Sequence, residues 1–479
     1  MQAKAQNKRE KQKMIDLPKK LAESQLKIGL ETHLPLKTKS KLFCSCSTKK
    51  SGRPNTQVCE VCLGLPGSKP TLNNAAVKAA IKLGLALGCK INSPSFFSRK
   101  TYFYPDMSKN FQITQYEIPI AENGFLMLGD KKIRIKRVHI EEDPAKIVHK
   151  DNYSLIDYNR SGRPLLEIVT EPDLNSPKEA RAYLQKLSLI AEYLQIFDPA
   201  DEASMKSDVN VSIFGGSRVE IKNISGFKDA EKAINFEQIR QKNVLLTGKK
   251  VVQETRMYSP VAGSTTTARI KETESGYGYI FEPDLPYLEF SLQEIERVRN
   301  SLEELPDQKK QKFVKLGLNK ATAESLVSEK ALSELFEELS KKFDKNLVAT
   351  YCLILLKTTN YNGIKVEQIN INPEFAKILE QVNTNKINKH EAEEIIRKIV
   401  ELKIKNKAPA KINCLFDGES WDFDLNEIVE KVRAQNKEKD LSDPKILNFL
   451  IGQVLRETKG KGNIQKIIKI LKRAKGKNK

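Results

Sequence analysis

In the stretch KIGLETHLPL, Ile28, Leu30, Thr32 and Leu34 alternate with Gly29, Glu31 and His33. A period of two belongs to a strand, so the pattern predicts Glu31 and His33 side by side on the face away from the core. DVNVSIF repeats it, with Val209, Val211 and Ile213 facing one way and Asp208, Asn210 and Ser212 the other. In VEIKNI, Val219 and Ile221 point inward while Glu220 and Lys222 share the opposite face. Several one-sided polar strands in one region predict a functional concave surface. A helix is expected after NSPKEA, where Ser176 caps, Pro177 takes the first turn and Glu179 completes a capping box. Its apolar stripe of Ala180, Tyr183, Leu184, Leu187, Ile190 and Leu194 suits packing on the back of the sheet.

At about Ser291 the texture changes to long amphipathic segments rich in Glu, Lys and Leu, beginning LQEIERVRNSLEEL. A second shift comes near Lys405, before a last helical stretch. The boundaries predicted are a basic extension over 1–25, a strand-rich domain over 26–290, a helical domain over 291–405 and a helical tail over 406–479. Three folded parts agree with a length of 479 residues at about 150 per domain. The longest apolar run, Leu347 to Leu356, is too short to span a membrane and reads as a buried helix.

Charge changes the picture at the ends. The net charge is +21, and from Arg456 to Lys479 ten Lys or Arg face a single acid, Glu457. Ile464, Ile467, Ile468 and Leu471 interrupt this run at helical spacing, predicting a basic helix suited to a phosphate backbone. An acidic membrane surface is disfavoured by the lack of aromatic anchors. The N-terminus is polar and basic with no apolar stretch, so no signal peptide is expected, and clustered cysteines fit the reducing cytosol.

Two constellations carry chemistry. Residues 44–62, CSCSTKKSGRPNTQVCEVC, hold C-x-C and C-x-x-C hooks joined by a turn-forming loop. Cys44, Cys46, Cys59 and Cys62 therefore predict a closed tetrahedral zinc site, structural before catalytic. The lone Cys89, Cys352 and Cys414 look like small core residues. RVHIEEDPAKIVH places Glu141, Glu142 and Asp143 together, flanked by His139 and His149. With Glu31 and Asp208 these acids would make an oxygen-rich Mg²⁺ site, and the nearby His33 and His139 would also suit Mn²⁺. There is no G-x-x-x-x-G-K-[ST] loop, G-x-G-x-x-G fingerprint, H-E-x-x-H or G-x-S-x-G elbow.

The runs RKTYFYPDMSKNFQITQYEIPI, HIEEDPAK, DYNRSGRPLLEIVTEPD, MKSDVNVSI, EIKNISGF and ILNFLIGQVLRETKGKGN closely resemble the GatB family, the B subunits of tRNA-dependent amidotransferases. The likeness runs from about Leu26 to Lys479. It implies an α+β fold: a glutamine synthetase-like catalytic cradle with an antiparallel sheet, then an all-α domain and a small all-α tail that contacts tRNA. It implies that ATP phosphorylates the side-chain carboxylate of Glu-tRNA(Gln), and of Asp-tRNA(Asn), and that ammonia then displaces phosphate. By the same resemblance Glu31, His33, Glu141 and Asp208 belong to the Mg²⁺ site. Glu142, Lys100 and Tyr102 line the mouth where ammonia and the aminoacyl end meet. Lys459, Lys461, Lys466, Lys469, Lys472 and Arg473 are the tail's candidate tRNA contacts. The chain carries no Ser-rich amidase signature, so glutamine hydrolysis is expected from a separate amidase (glutaminase) subunit, with a third, small subunit bracing the pair. An archaeal paralogue that pairs with an asparaginase-like protein has a large domain inserted after the cradle, for which Glu289 to Ser291 leaves no room.

Overall fold

The computed structural model describes residues 26–101, 103–199, 205–213, 216–270, 278–405, 425–436, 444–458 and 464–473. The chain divides into two compact units, Met1–Leu305 and Pro306–Lys479.

The first unit contains strands β1 (Leu26–Pro35), β2 (Lys90–Ile91), β3 (Ser98–Thr101), β4 (Phe111–Thr114), β5 (Ala121–Leu128), β6 (Lys131–Glu142) and β7 (Lys146–His149). They are followed by β8 (Ser154–Asp157), β9 (Pro164–Thr170), β10 (Lys206–Ile213), β11 (Val219–Ser225), β12 (Glu254–Ser259), β13 (Ser264–Ile270) and β14 (Tyr279–Phe281). Nine of these form one sheet in the order β13-β12-β11-β10-β1-β9-β6-β5-β2. A small sheet β14-β3-β4 and a hairpin β7-β8 accompany it.

Each alternation in the sequence becomes a two-faced strand. Ile28, Leu30, Thr32 and Leu34 are buried, as are Val209, Val211, Ile213, Val219 and Ile221. Helices α1 (Glu60–Leu63), α2 (Asn74–Ala86), α3 (Pro177–Tyr193), α4 (Phe227–Leu246) and α5 (Leu292–Asn300) complete the unit. The stripe of α3 is buried throughout, with Tyr183 and Leu187 fully enclosed in the same core as Ile28 and Val209. Each such large apolar side chain contributes about 1.5–3 kcal/mol relative to exposure.

The structure corrects the expected antiparallel sheet in one place: β11 and β12 pair in parallel. Helix α4 lies between them in sequence and returns the chain to the same end of the sheet, the crossover that a parallel pair requires. The capping box at α3 is also corrected. Ser176 accepts the Glu179 N–H, but the Glu179 carboxylate takes the Asn175 N–H and the Lys131 ammonium.

The second unit is helical. Helices α6 (Pro306–Lys315), α7 (Lys320–Val327), α8 (Lys330–Leu339), α9 (Lys345–Tyr361), α10 (Asn372–Asn383) and α11 (Lys389–Ile404) close on a core that includes Phe313, Phe336, Leu355 and Ile396. The apolar run at 347–356 lies in α9, where Val348, Cys352 and Leu355 are buried. Helices α12 (Leu425–Ala434), α13 (Pro444–Glu457) and α14 (Ile464–Arg473) build a separate core from Val429, Val432, Leu450, Val454, Ile467 and Leu471. Among the described residues no helix is long and apolar enough to cross a membrane.

Candidate functional site

The polar face of the large sheet floors a cavity of about 780 Å³, lined among others by Glu31, His33, Glu141, Glu167, Lys206 and Asp208. Register brings these side chains together. On β1, Glu31 lies opposite Asp208 and His33 opposite Lys206 of β10. On the other flank His33 lies opposite Glu167 of β9, which in turn faces His139 of β6. Because the pleat repeats every two residues, Glu141 shares the face of His139.

At the centre His33, Glu141 and Glu167 place one ligand atom each within 4.8 Å of one another. His33 Nε2 is 3.2 Å from Glu167 Oε2, and His139 Nε2 is 3.0 Å from Glu141 Oε1 and 3.7 Å from Glu167 Oε2. The Thr114 hydroxyl donates to Glu141 Oε1 at 2.7 Å and the Gln112 amide to its Oε2 at 3.3 Å, fixing the carboxylate. Burial opposes charge on Glu167, yet His139, His33 and Lys100 outweigh it and hold this carboxyl below the usual range. Glu141 is held low too: burial and Glu167 push it up, while His139 and Lys100 pull it further down. Burial lowers the His33 imidazole, but Glu167, Asp208 and Glu141 lift it to about 9.

Beside this centre, Glu31 accepts the Asn210 amide at 2.9 Å, and Asp208 accepts the Lys222 ammonium at 2.7 Å. The Glu31 carboxyl is pushed up, first by burial and then by Glu167, Glu220 and Asp208. Three carboxylates thus act on Glu31 against the one Lys222 ammonium. Two carboxylates and an imidazole converging beside these acids fit a divalent cation of the Mg²⁺ or Mn²⁺ type.

The acid trio at 141–143 does not act together. Glu142 is buried on the other face of β6 and is not among the residues that line the cavity. Its carboxylate meets the Lys109 ammonium and accepts the Ile113 N–H at 2.9 Å. Asp143 lines the cavity and pairs with Arg160 at 3.1 Å. His149 lies on the exposed β7-β8 hairpin, bonded to Ser154. Lys100 lines the cavity, opposite Gln112 in the small sheet. Tyr102, Lys459 and Lys461 lie outside the described residues, as do the side chains of Lys466, Lys472 and Arg473. Lys469 is exposed on α14 between the buried Ile467 and Leu471. Sequence reasoning missed Glu167 and Lys206. The available signal for Glu167 was an acid inside the apolar strand PLLEIVT, since a buried carboxylate needs partners.

The Sγ atoms of Cys44, Cys46, Cys59 and Cys62 lie within 4.8 Å of one another. The Cys59 N–H points at Cys62 Sγ, 3.2 Å away, and Gly64 in the left-handed region (φ 69°) ends the single turn α1. The Cys62 thiol falls to about 4, held down first by the Cys44 hydrogen bond and then by the Cys59 N–H and the Lys41 charge. Four convergent sulfurs, with Cys62 held as a thiolate, fit a tetrahedral zinc ion. Cys89 and Cys352 are buried away from this cluster, and Cys414 lies outside the described residues.

The GatB/GatE catalytic domain matches residues 26–296, and the GatB domain matches residues 334–474. The chain is 42% identical over 474 residues to the aspartyl/glutamyl-tRNA(Asn/Gln) amidotransferase B subunit of Saccharolobus solfataricus, covering 94% of this chain and 99% of that protein. It is 42% identical over 475 residues to the protein of the same description from Thermodesulfovibrio yellowstonii, covering 93% and 98%. For that of Methanospirillum hungatei the identity is 41% over 458 residues, covering 91% and 95%.

Proposed function

The chain belongs to the GatB family, the B subunits of aspartyl/glutamyl-tRNA(Asn/Gln) amidotransferases, and on that premise we propose that its cavity is the site where a tRNA-bound glutamate or aspartate becomes the amide. The substrates are Glu-tRNA(Gln) and Asp-tRNA(Asn), and the products Gln-tRNA(Gln) and Asn-tRNA(Asn). A carboxylate cannot expel oxide, so one of its oxygens must first be phosphorylated. The γ-phosphoryl group of ATP passes to that oxygen and ADP leaves. Ammonia then attacks the acyl carbon, loses a proton, and phosphate departs with the oxygen. The ammonia comes from glutamine hydrolysed by a separate amidase subunit, with a third, small subunit in the complex, because this chain carries no amidase signature of its own.

Phosphoryl transfer asks a protein for position and charge neutralisation, which accounts for a cavity lined by charged side chains of both signs. A divalent cation held by His33, Glu141 and Glu167, with Glu31 and Asp208 beside them, would neutralise the charge of the transferring group. His139, Thr114 and Gln112 orient the Glu141 carboxylate. Lys206 and Arg160 supply positive charge along the same wall, suited to phosphate oxygens. Lys100, on the cavity wall, would meet the incoming aminoacyl end, with Tyr102 two residues on along the ammonia path, whereas Glu142, held by Lys109 behind the floor, would act only from outside the cavity. The unit that carries the cavity is the catalytic cradle of residues 26–290, of the glutamine synthetase type. Residues 291–405, whose first helix α5 still packs on the cradle, lead into the helical domain, and 406–479 form the tRNA-binding tail. The four-cysteine centre is a structural zinc site in the cradle.

The observation that carries this reading is the convergence of His33, Glu141 and Glu167 on the floor of a cavity large enough for a nucleotide. In the enzyme reconstituted with its amidase partner, Glu141→Gln is expected to lower Glu-tRNA(Gln)-dependent ADP formation on the order of 10²-fold or more, since it removes one of the two carboxylate charges that would hold the cation against the transferring group. Glutamine hydrolysis persists, since its chemistry sits on another chain. ADP formation near the wild-type rate in this variant would show that the phosphorylation site is elsewhere.

A further inference from the structure

Lys41 is fully buried at the entrance to the first cysteine hook. Its backbone N–H donates to the Cys46 carbonyl at 2.9 Å. Its ammonium donates to the Tyr158 carbonyl at 3.2 Å and lies 3.5 Å from Cys62 Sγ. The stem is packed against the turn at Gly162, where an added Cβ would lie 3.6 Å from Lys41 Cδ and 3.7 Å from Cys62 Cβ. No carboxylate within ion-pair distance of Lys41 is found among the described residues, and the nearby Glu142 is already engaged by Lys109.

A buried ammonium is costly unless an anion faces it, and of the two groups at its tip, a carbonyl and the Cys62 sulfur, only the sulfur can supply one. Four thiolates around a divalent ion carry a net charge of about −2, which is just as costly to enclose without a cation nearby. The two burdens cancel when the groups meet. We propose that Lys41 is the counter-ion of the four-cysteine metal centre, its ammonium donating to the Cys62 sulfur, so that Lys41 sets the affinity of the centre for zinc. This role is independent of the reaction assigned to the cavity. It makes Lys41 a positioning residue for the metal, and it explains why a lysine is tolerated in an interior with no acid at its tip.

The test uses the full chain in zinc-loaded and zinc-free forms, prepared under reducing conditions. Lys41→Met keeps the length of the stem and removes the charge. Zinc affinity, read by competition with a chromophoric chelator, should fall by about 10- to 100-fold, the effect usual for losing an outer partner of a metal ligand. The zinc-free variant should melt within a few degrees of zinc-free wild type, because Met keeps the packing of the stem and removes the cost of enclosing the ammonium. In the cobalt-substituted protein the sulfur-to-metal charge-transfer band should move to lower energy, since a sulfur that loses its hydrogen-bond donor gives up electrons more readily. Unchanged zinc affinity would overturn the proposal. So would an affinity loss matched by an equal loss of stability in the zinc-free protein, which would mark Lys41 as packing alone.

Discussion

Glu167 sits between two imidazoles, 3.2 Å from His33 and 3.7 Å from His139, at the point where three strands meet. Asp208 stands one strand further along and is occupied by Lys222. The two carboxylates should therefore respond differently to loss of charge. Glu167→Gln removes a member of the central cluster and should lower kcat for amide formation on the order of 10²-fold or more. Asp208→Asn acts through its neighbours and should cost about tenfold, within the range of a group that supports a metal ligand without binding the metal itself. Steady-state rates with saturating ATP and charged tRNA distinguish them, and equal losses would place Asp208 in the cluster. The sequence made Glu31, His33 and Asp208 legible because each alternates with apolar neighbours. It hid Glu167, whose strand is buried on both sides of it, and it grouped Glu141 with Glu142 although adjacent strand residues face opposite ways.

At the scale of elements, helix α3 was legible from its cap to its apolar stripe. Its first turn rests on the Ser176 hydroxyl accepting the Glu179 N–H at 3.2 Å. Ser176→Ala should cost about 1 kcal/mol of helix stability and speed hydrogen exchange of the first-turn amides about fivefold. Glu179→Ala should act elsewhere, since that carboxylate holds Asn175 and Lys131 and leaves the Ser176 N–H alone. The parallel pairing of β11 with β12 was not legible. Strand patterns specify which face is buried, whereas direction depends on the path of the 20-residue helix α4 between them. The Lys41 contact belongs to the same class of long-range facts: the hooks were visible as spacing, but the 117-residue separation between Lys41 and Tyr158 was not.

Over the whole molecule, the change of texture at about residue 291 and the division between compact units at Leu305 differ because α5 turns its apolar side into the first core. Ile295, Val298, Leu302 and Leu305 pack there. Such a division depends on which surface a helix buries, and an amphipathic sequence states only that it buries one.

The basic end of the chain forms a core of its own, from Val429 to Leu471, so it can be removed without opening the core of α6–α11. In α14, Ile467 and Leu471 turn inward and Lys469 outward, an arrangement that turns this lysine toward a phosphate backbone. Truncation after Lys405 in the assembled enzyme should therefore raise the KM for charged tRNA. It should also flatten the dependence of affinity on salt, by close to one unit of log–log slope for each phosphate that the tail no longer neutralises. Glutamine hydrolysis measured without tRNA should change little, because the cradle remains. If these lysines served only to keep the tail soluble, the truncated enzyme would bind charged tRNA with unchanged affinity at every salt concentration. That result would remove the tail from the tRNA-binding surface and leave recognition to the rest of the chain.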